Sequence, residues 1–308
     1  MANSLNTPIT TTYAGEFAGK YIAAALLSGN TLAAEAITVK PNVKFKEVIK
    51  KVDTAGIIAD GTCDFTSAGT VALTERILQV KELQVNLELC KTPFESDWEA
   101  AAMGYSSFDE LPKNFSDFFI AQLSAQVADA NETALWSGSA GAGSYDGLLA
   151  QLVAASAPSV TAIAITSANV IEEMGKVVDA LNANVYGKPD LTLYVSQNVA
   201  RAYVRALGGF VATIGANGVD NKGTTWYNGG QLSFDGINIF VANGLADNRM
   251  VLAEKSNLFF GTSLLSDHQT VQLLDMANID GSKNVRFVMR YSAGTQVGVA
   301  ADTVVYTA

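Results

Sequence analysis

The sequence predicts an α+β chain, and the order of its elements is its main signature: a helical start, a long β arm, one long helix, a mixed α/β stretch and a β-rich end. Three observations carry that prediction. Apolar residues recur at helical spacing over 13–28 and again over 114–136, period-two alternation runs through Leu83, Val85, Leu87 and Leu89, and Gly, Asn and Asp turn signals punctuate the chain after Gly147.

The first helix is read from Tyr13, Phe17 and Tyr21 with Ala14, Ala18 and Ile22 beside them, and Gly29 and Asn30 are expected to stop it. From Ile37 to about Lys91 the pattern becomes that of a two-stranded arm whose returning limb sets Glu82, Gln84, Asn86 and Glu88 opposite the leucines. Its tip, Ala55 to Gly69, has no core of its own. An isolated two-stranded ribbon is marginal in water, so the arm is expected to lie on a neighbouring subunit.

Phe115, Phe118, Phe119, Leu123, Val127 and Leu135 form one stripe, which places a long helix at 114–136 with Asn114 as N-cap. The Gly-rich run Gly138–Gly147 ends it. Thr166 or Ser167 is expected to cap a helix with Val170, Ile171, Met174, Val177, Val178 and Leu181 on one face. Leu191, Leu193 and Val195 then alternate as a strand, and Ser196 opens a helix to Leu207. A Gly/Asn loop over 215–230 carries Trp226. Asp235-Gly236 and Asp280-Gly281 are hairpin signals, Asn243-Gly244 a turn, and a Val-rich strand closes the chain at Tyr306.

Composition narrows the function. The 308 residues suffice for a sizeable core in one large or two modest domains, and with 49% hydrophobic residues disorder is excluded. Only 16% of residues are charged, against roughly 25% in an average domain, which points to a surface covered by copies of the chain or by partners. A formal charge of -10 argues against binding that depends on neutralising phosphates. Ile22–Leu27 is too short to span a bilayer and Met1–Thr12 lacks a charged signal-peptide start, so synthesis in the cytoplasm is expected.

The reagents of catalysis are scarce: one histidine, His268, and two widely separated cysteines, Cys63 and Cys90, which fit inert reduced thiols better than a disulfide framework, a single bridge being the alternative. His268 beside Asp267 is the one pairing from which a hydrolase could be imagined, but no second histidine exists and the cysteines lack zinc-site spacing. Gly138–Gly147 lacks the Lys-Ser/Thr ending of a phosphate loop and follows a helix, so it reads as a turn. Glu172-Glu173 and Asp109-Glu110 are neighbours that do not converge on one point. No catalytic, cofactor or metal residue is expected.

Lys40, Lys44, Lys46, Lys50 and Lys51 form the one basic cluster. With only Phe45 interleaved it is a poor nucleic-acid patch, and it reads instead as an inter-subunit surface facing carboxylates such as Glu82 and Glu88 on another copy. The residues expected at contacts between copies are therefore Lys44, Lys46, Lys50, Lys51, Glu82, Glu88 and Trp226.

The order of parts resembles the major capsid proteins of tailed bacteriophages, the HK97-like fold. Local echoes are Asn131-Glu-Thr-Ala-Leu-Trp-Ser-Gly138 followed by Tyr145-Asp-Gly-Leu-Leu149, and Lys255-Ser-Asn-Leu-Phe-Phe-Gly261 before the last strands. The resemblance implies an N-terminal arm at 1–37 and an extended β-hairpin loop at 38–92. It implies a peripheral domain at 93–150 and 266–292 with a spine helix at 114–136, and an axial α/β domain at 151–265 and 293–308. It further implies a structural, non-enzymatic protein that assembles in the host bacterial cytoplasm into pentamers and hexamers of an icosahedral virion capsid. Such a shell encloses double-stranded DNA without sequence-specific binding, has no membrane partner and meets a portal. No long charged N-terminal scaffolding segment is visible, so a separate scaffolding protein or none is expected, with or without decoration proteins. An encapsulin-like nanocompartment enclosing cargo enzymes is the alternative within assembly, and the Asp267/His268 hydrolase the alternative outside it.

Overall fold

The computed structural model describes residues 30–58, 60, 61, 63, 69–90, 113–207, 232–263, 272–276 and 279–307. The helix expected at 13–28 and the loop at 215–230 lie outside them. The chain divides into two compact units, one drawn from Glu82–Asp129 and Leu264–Tyr291, the other from Gly29–Lys81, Ala130–Ser263 and Ser292–Ala308.

The larger unit is built on a six-stranded mixed sheet. Its strands are β5 (Ser159–Thr161), β6 (Leu191–Val195), β7 (Ser233–Phe234), β8 (Ile237–Val241), β9 (Met250–Glu254) and β13 (Val304–Thr307), in the order β5-β13-β9-β6-β8-β7. Helices α4 (Val170–Asp179) and α5 (Gln197–Leu207) cover one face, where Met174, Val177, Val199 and Tyr203 pack against Leu193, Leu252, Val304 and Tyr306. On the opposite face Tyr194 meets Trp136 with ring centroids 5.0 Å apart, and its hydroxyl donates to the Ala36 carbonyl at 2.5 Å. Val195 and Tyr194 are both fully buried. β6 is thus covered on both faces, with Leu191, Leu193 and Val195 on one and Tyr194 buried on the other, and only Thr192 half-buried.

Several sequence expectations hold at the level of the backbone. The long helix α2 runs Lys113–Ser137, one residue beyond the expected limits at each end, and Leu123, Val127 and Leu135 on its stripe are buried. Asn114 therefore lies inside the first turn and not at the cap. The Gly-rich run after it is a tight turn in which Gly147 N–H donates to Gly138 C=O at 2.9 Å. Asp235-Gly236 joins β7 to β8 with both residues at positive φ, 52° and 76°, the geometry a two-residue hairpin needs. α4 begins after Asn169, not at Thr166 or Ser167: Asn169 Oδ1 accepts from Thr166 N–H at 2.7 Å, closing a turn ahead of the helix. Ile171 is exposed, although its neighbours on the expected stripe are buried. Asn30 is the first residue of the short helix α1 (Asn30–Ala33).

The arm is where the reading changes most. Its returning limb is not the alternating run ending at Leu89 but β3 (Thr70–Gln79), which pairs antiparallel with β2 (Lys46–Ala55) from Lys46↔Gln79 to Ala55↔Thr70. The alternating run is a separate strand, β4 (Lys81–Cys90), hydrogen-bonded to β12 (Asn284–Val297). In the smaller unit β11 (Gln272–Asp275) also pairs with β12, through Gln272↔Val288 to Asp275↔Val285. In the larger unit β1 (Thr38–Lys40) lies parallel to β10 (Leu258–Gly261), which pairs with the C-terminal end of β12. The remaining helix, α3 (Leu148–Ala154), follows the Gly-rich turn. Among the described residues no helix is long and apolar enough to cross a membrane.

Candidate functional site

The β2–β3 hairpin carries the most exposed apolar surface among the described residues. In an antiparallel pair, directly opposed residues share a face, so Val48 with Ile77, Val52 with Leu73, and Thr54 with Val71 line one side. There Val52 is 60% exposed, Leu73 65% and Val71 72%, with Lys50 and Glu75 opposed between the apolar pairs. Apolar contiguity of this kind on a ribbon with no layer over it marks an interaction surface. Gly56 and Gly69 turn the chain at the distal end, with φ of 64° and 83°.

The base of the hairpin is rigidly held. Leu78 is fully buried with Val43 and Val80 beside it, and Phe259 and Ile49 pack against them. Two glycines make this approach possible. A Cβ at Gly294 would lie 2.2 Å from the Gln79 carbonyl oxygen, and one at Gly261 would meet the Leu78 side chain at 2.9 Å. Gln296 Nε2 donates to the Ile77 carbonyl at 2.8 Å, and Val80 N–H to the Phe45 carbonyl at 3.1 Å. Beneath the other side of the hairpin a groove of about 880 Å³ is lined by Lys51, Asp53 and Arg76 and by Ser156, Asn257 and Gln296 across from them.

The lysines do not form one patch. Lys46 and Lys50 share the apolar side while Lys51 points to the groove side, where it pairs with Asp53 at 2.8 Å. Lys40 pairs with Glu47 at 2.5 Å, Lys46 lies over the Phe45 ring at 5.1 Å, and Lys44 is exposed. Glu82 is exposed on β4. Glu88 accepts from Arg286 at 3.0 Å and from Asn284 at 2.6 Å, so its partners are on its own chain. Trp226, Asp267 and His268 lie outside the described residues. Alternation in Val48-Ile-Lys-Lys-Val52 and Val71-Ala-Leu73 was the signal for the apolar face, and the lysines between those residues mask it.

A second feature lies at the C-terminal end of α2. Glu132, 2% exposed, accepts from Thr31 N–H at 3.2 Å and from the Thr31 hydroxyl, which in turn accepts from Trp136 Nε1 at 2.9 Å. Burial pushes the Glu132 carboxyl above the usual carboxylate range against the pull of the donors from Thr31, Gly244 and Trp136. Glu173 behaves oppositely. Burial raises it, but hydrogen bonds from Lys176 at 2.6 Å and Tyr306 at 2.8 Å outweigh that and hold it below its ordinary value. Tyr306 Oη also accepts from Ile163 N–H at 3.0 Å, so it joins β13 both to α4, through Glu173, and to the segment after β5. These are structural clamps. Among the described residues no cluster of His, Cys, Asp and Glu could hold a metal ion, and no disulfide joins Cys63 to Cys90.

The arrangement has counterparts among solved structures. The chain is similar to the capsid protein of a native GTA particle computed with C5 symmetry, at TM-score 0.65 and 13% identity over 99% of this chain and 100% of that one. The chain has the HK97-like capsid fold. It is also similar to a chain of the capsid of Myoviridae phage XM1 (TM-score 0.59, 11% identity, 91% and 92% covered) and to one of Mycobacterium phage Adephagia (0.58, 16%, 92% and 91%). No protein-family model matches the sequence, and no curated protein matches it.

Proposed function

We propose that this chain is the major capsid protein of a tailed bacteriophage, a structural, non-enzymatic protein whose copies meet as pentamers and hexamers of an icosahedral shell around double-stranded DNA. The observation that carries the proposal is the hairpin: a projecting ribbon with a fixed base and an uncovered apolar face, on a fold that the GTA and XM1 capsids share. A free ribbon of this kind is marginal, and a second copy beneath it supplies the missing layer. Residues 1–37 would form the N-terminal arm, and Lys46–Gln79 the part of the 38–92 loop that reaches the neighbour. Residues 93–150 and 266–292 would form the peripheral domain, and 151–265 with 293–308 the axial domain. Lys44, Lys46, Lys50, Lys51, Glu82 and Trp226 remain proposed contacts between copies. The acidic chain suits a wall that confines DNA without gripping it. A portal, and scaffolding or decoration proteins where present, would be its partners, with assembly in the host cytoplasm. The test is electron microscopy of particles from cells expressing the chain: closed shells support the proposal, and a protein that stays monomeric at every concentration overturns it.

A further inference from the structure

Two features of the helical layer have no partner among the described residues. The first is a groove of about 410 Å³ along α5, lined by Gln197, Arg201, Val204, Arg205, Leu232 and Asn243. Both arginines are exposed, and among the described residues no acidic side chain lines the groove and neither guanidinium has a carboxylate partner. Arg201 Nε donates to the Gln197 carbonyl at 3.2 Å.

The second is the outer ridge of α4. Ile171 is 47% exposed there, and the Glu172 side chain 73%. Gly175 and Asp179 follow on the same side, with Lys176 already engaged by Glu172 and Glu173. Three carboxylates stand against one lysine on this helix. Gly175 is the telling residue. A glycine inside a helix destabilises it relative to alanine, yet a Cβ placed there meets nothing within 4 Å. Among the described residues no packing calls for the missing side chain, whereas a second backbone brought close to the ridge would.

Ridge and groove belong to different helices over different strands of the sheet. α4 is tied to β13 through Glu173 and Tyr306, while α5 borders the β8–β7 edge, where Tyr203 donates to the Ser233 carbonyl at 2.8 Å. Two different patches that meet make a head-to-tail contact, which closes into a ring when the rotation permits. We propose that the α4 ridge of one copy seats in the α5 groove of the next. Glu172 and Asp179 would face Arg201 and Arg205, Ile171 would sit on Val204 and Leu232, and Gly175 would admit the approach. The proposal rests on the shell reading and assigns the contact that closes its rings.

The experiment compares the concentration at which the full chain assembles, by sedimentation and electron microscopy, with that of variants whose fold is checked by circular dichroism. Arg201→Glu with Arg205→Glu, and separately Glu172→Lys with Asp179→Lys, are each expected to raise that concentration on the order of ten-fold or more through like-charge opposition. The four changes together restore it. Gly175→Leu, whose Cβ has open space around it among the described residues, is expected to block assembly of a folded protein. Assembly of the single-patch variants and Gly175→Leu at the parent's concentration overturns this contact while leaving the shell reading in place, as does failure of the four-fold exchange to restore assembly. A parent chain that never assembles overturns both.

Discussion

Thr31 gives both its backbone N–H and its hydroxyl to the buried carboxylate of Glu132, and takes the Trp136 indole N–H in return. The three groups lie 101 and 105 positions apart in sequence and leave α1 fixed to the end of α2. Thr31→Val keeps the shape and removes the hydroxyl, so a buried carboxylate oxygen and a buried indole N–H lose a partner. A loss of about 1–3 kcal/mol is expected, read from urea denaturation, with faster hydrogen exchange at the residue 31 amide.

Glu132 and Glu173 pull stability in opposite directions with pH. The folded-state pKa of Glu173 lies below its unfolded value, so its contribution is complete above the unfolded carboxylate range and is lost as pH falls through the folded value. Glu132 is raised, so its contribution is complete below the unfolded value and is lost as pH rises through the folded one. Glu173→Gln should therefore flatten the acid limb of a stability-against-pH curve, and Glu132→Gln should remove the decline above about pH 4 that its own titration causes. Thermal melts from pH 3 to 7 separate the two; identical curves for both variants would sink the assignment.

Gly294 tests how the hairpin is held. A methyl group there would press on the Gln79 carbonyl. Gly294→Ala should cost about 1–3 kcal/mol by overpacking, and should raise exchange at Leu78 and Val80 more than in β6. Equal protection in both regions would show that the hairpin base does not depend on this approach.

Leu73 has the opposite character, being 65% exposed. Leu73→Asp should change the melting of the isolated chain by no more than about 0.5 kcal/mol. It should prevent assembly all the same, which light scattering reads directly. A large destabilisation would mean that the face packs within its own copy.

Elements with local signals were legible in the sequence. The α2 stripe, the Asp235-Gly236 hairpin and the helix ending at Leu207 each depend on periodicity or turn chemistry within a few residues. What failed depended on distant pairing. Leu83 to Leu89 alternate like a hairpin limb, but strands with the same pattern differ only in which edge they find, and β12 takes β4. Thr31 and Glu132 carry no sign of each other at such a separation. Ile171 fits the apolar stripe of α4 by spacing alone, and only the packing of Val170 and Met174 against the sheet shows that it faces outward. Glu88 looked available to another copy because Arg286 is far along the chain.

Sedimentation velocity of the purified chain across a wide concentration range, with electron microscopy of each fraction, is the direct measurement of the central claim. Pentameric and hexameric rings and closed shells, formed in a concentration-dependent way and lost in Leu73→Asp, are the expected result. A parent chain that sediments as a monomer throughout, or shells that form unchanged with Asp at position 73, would contradict it.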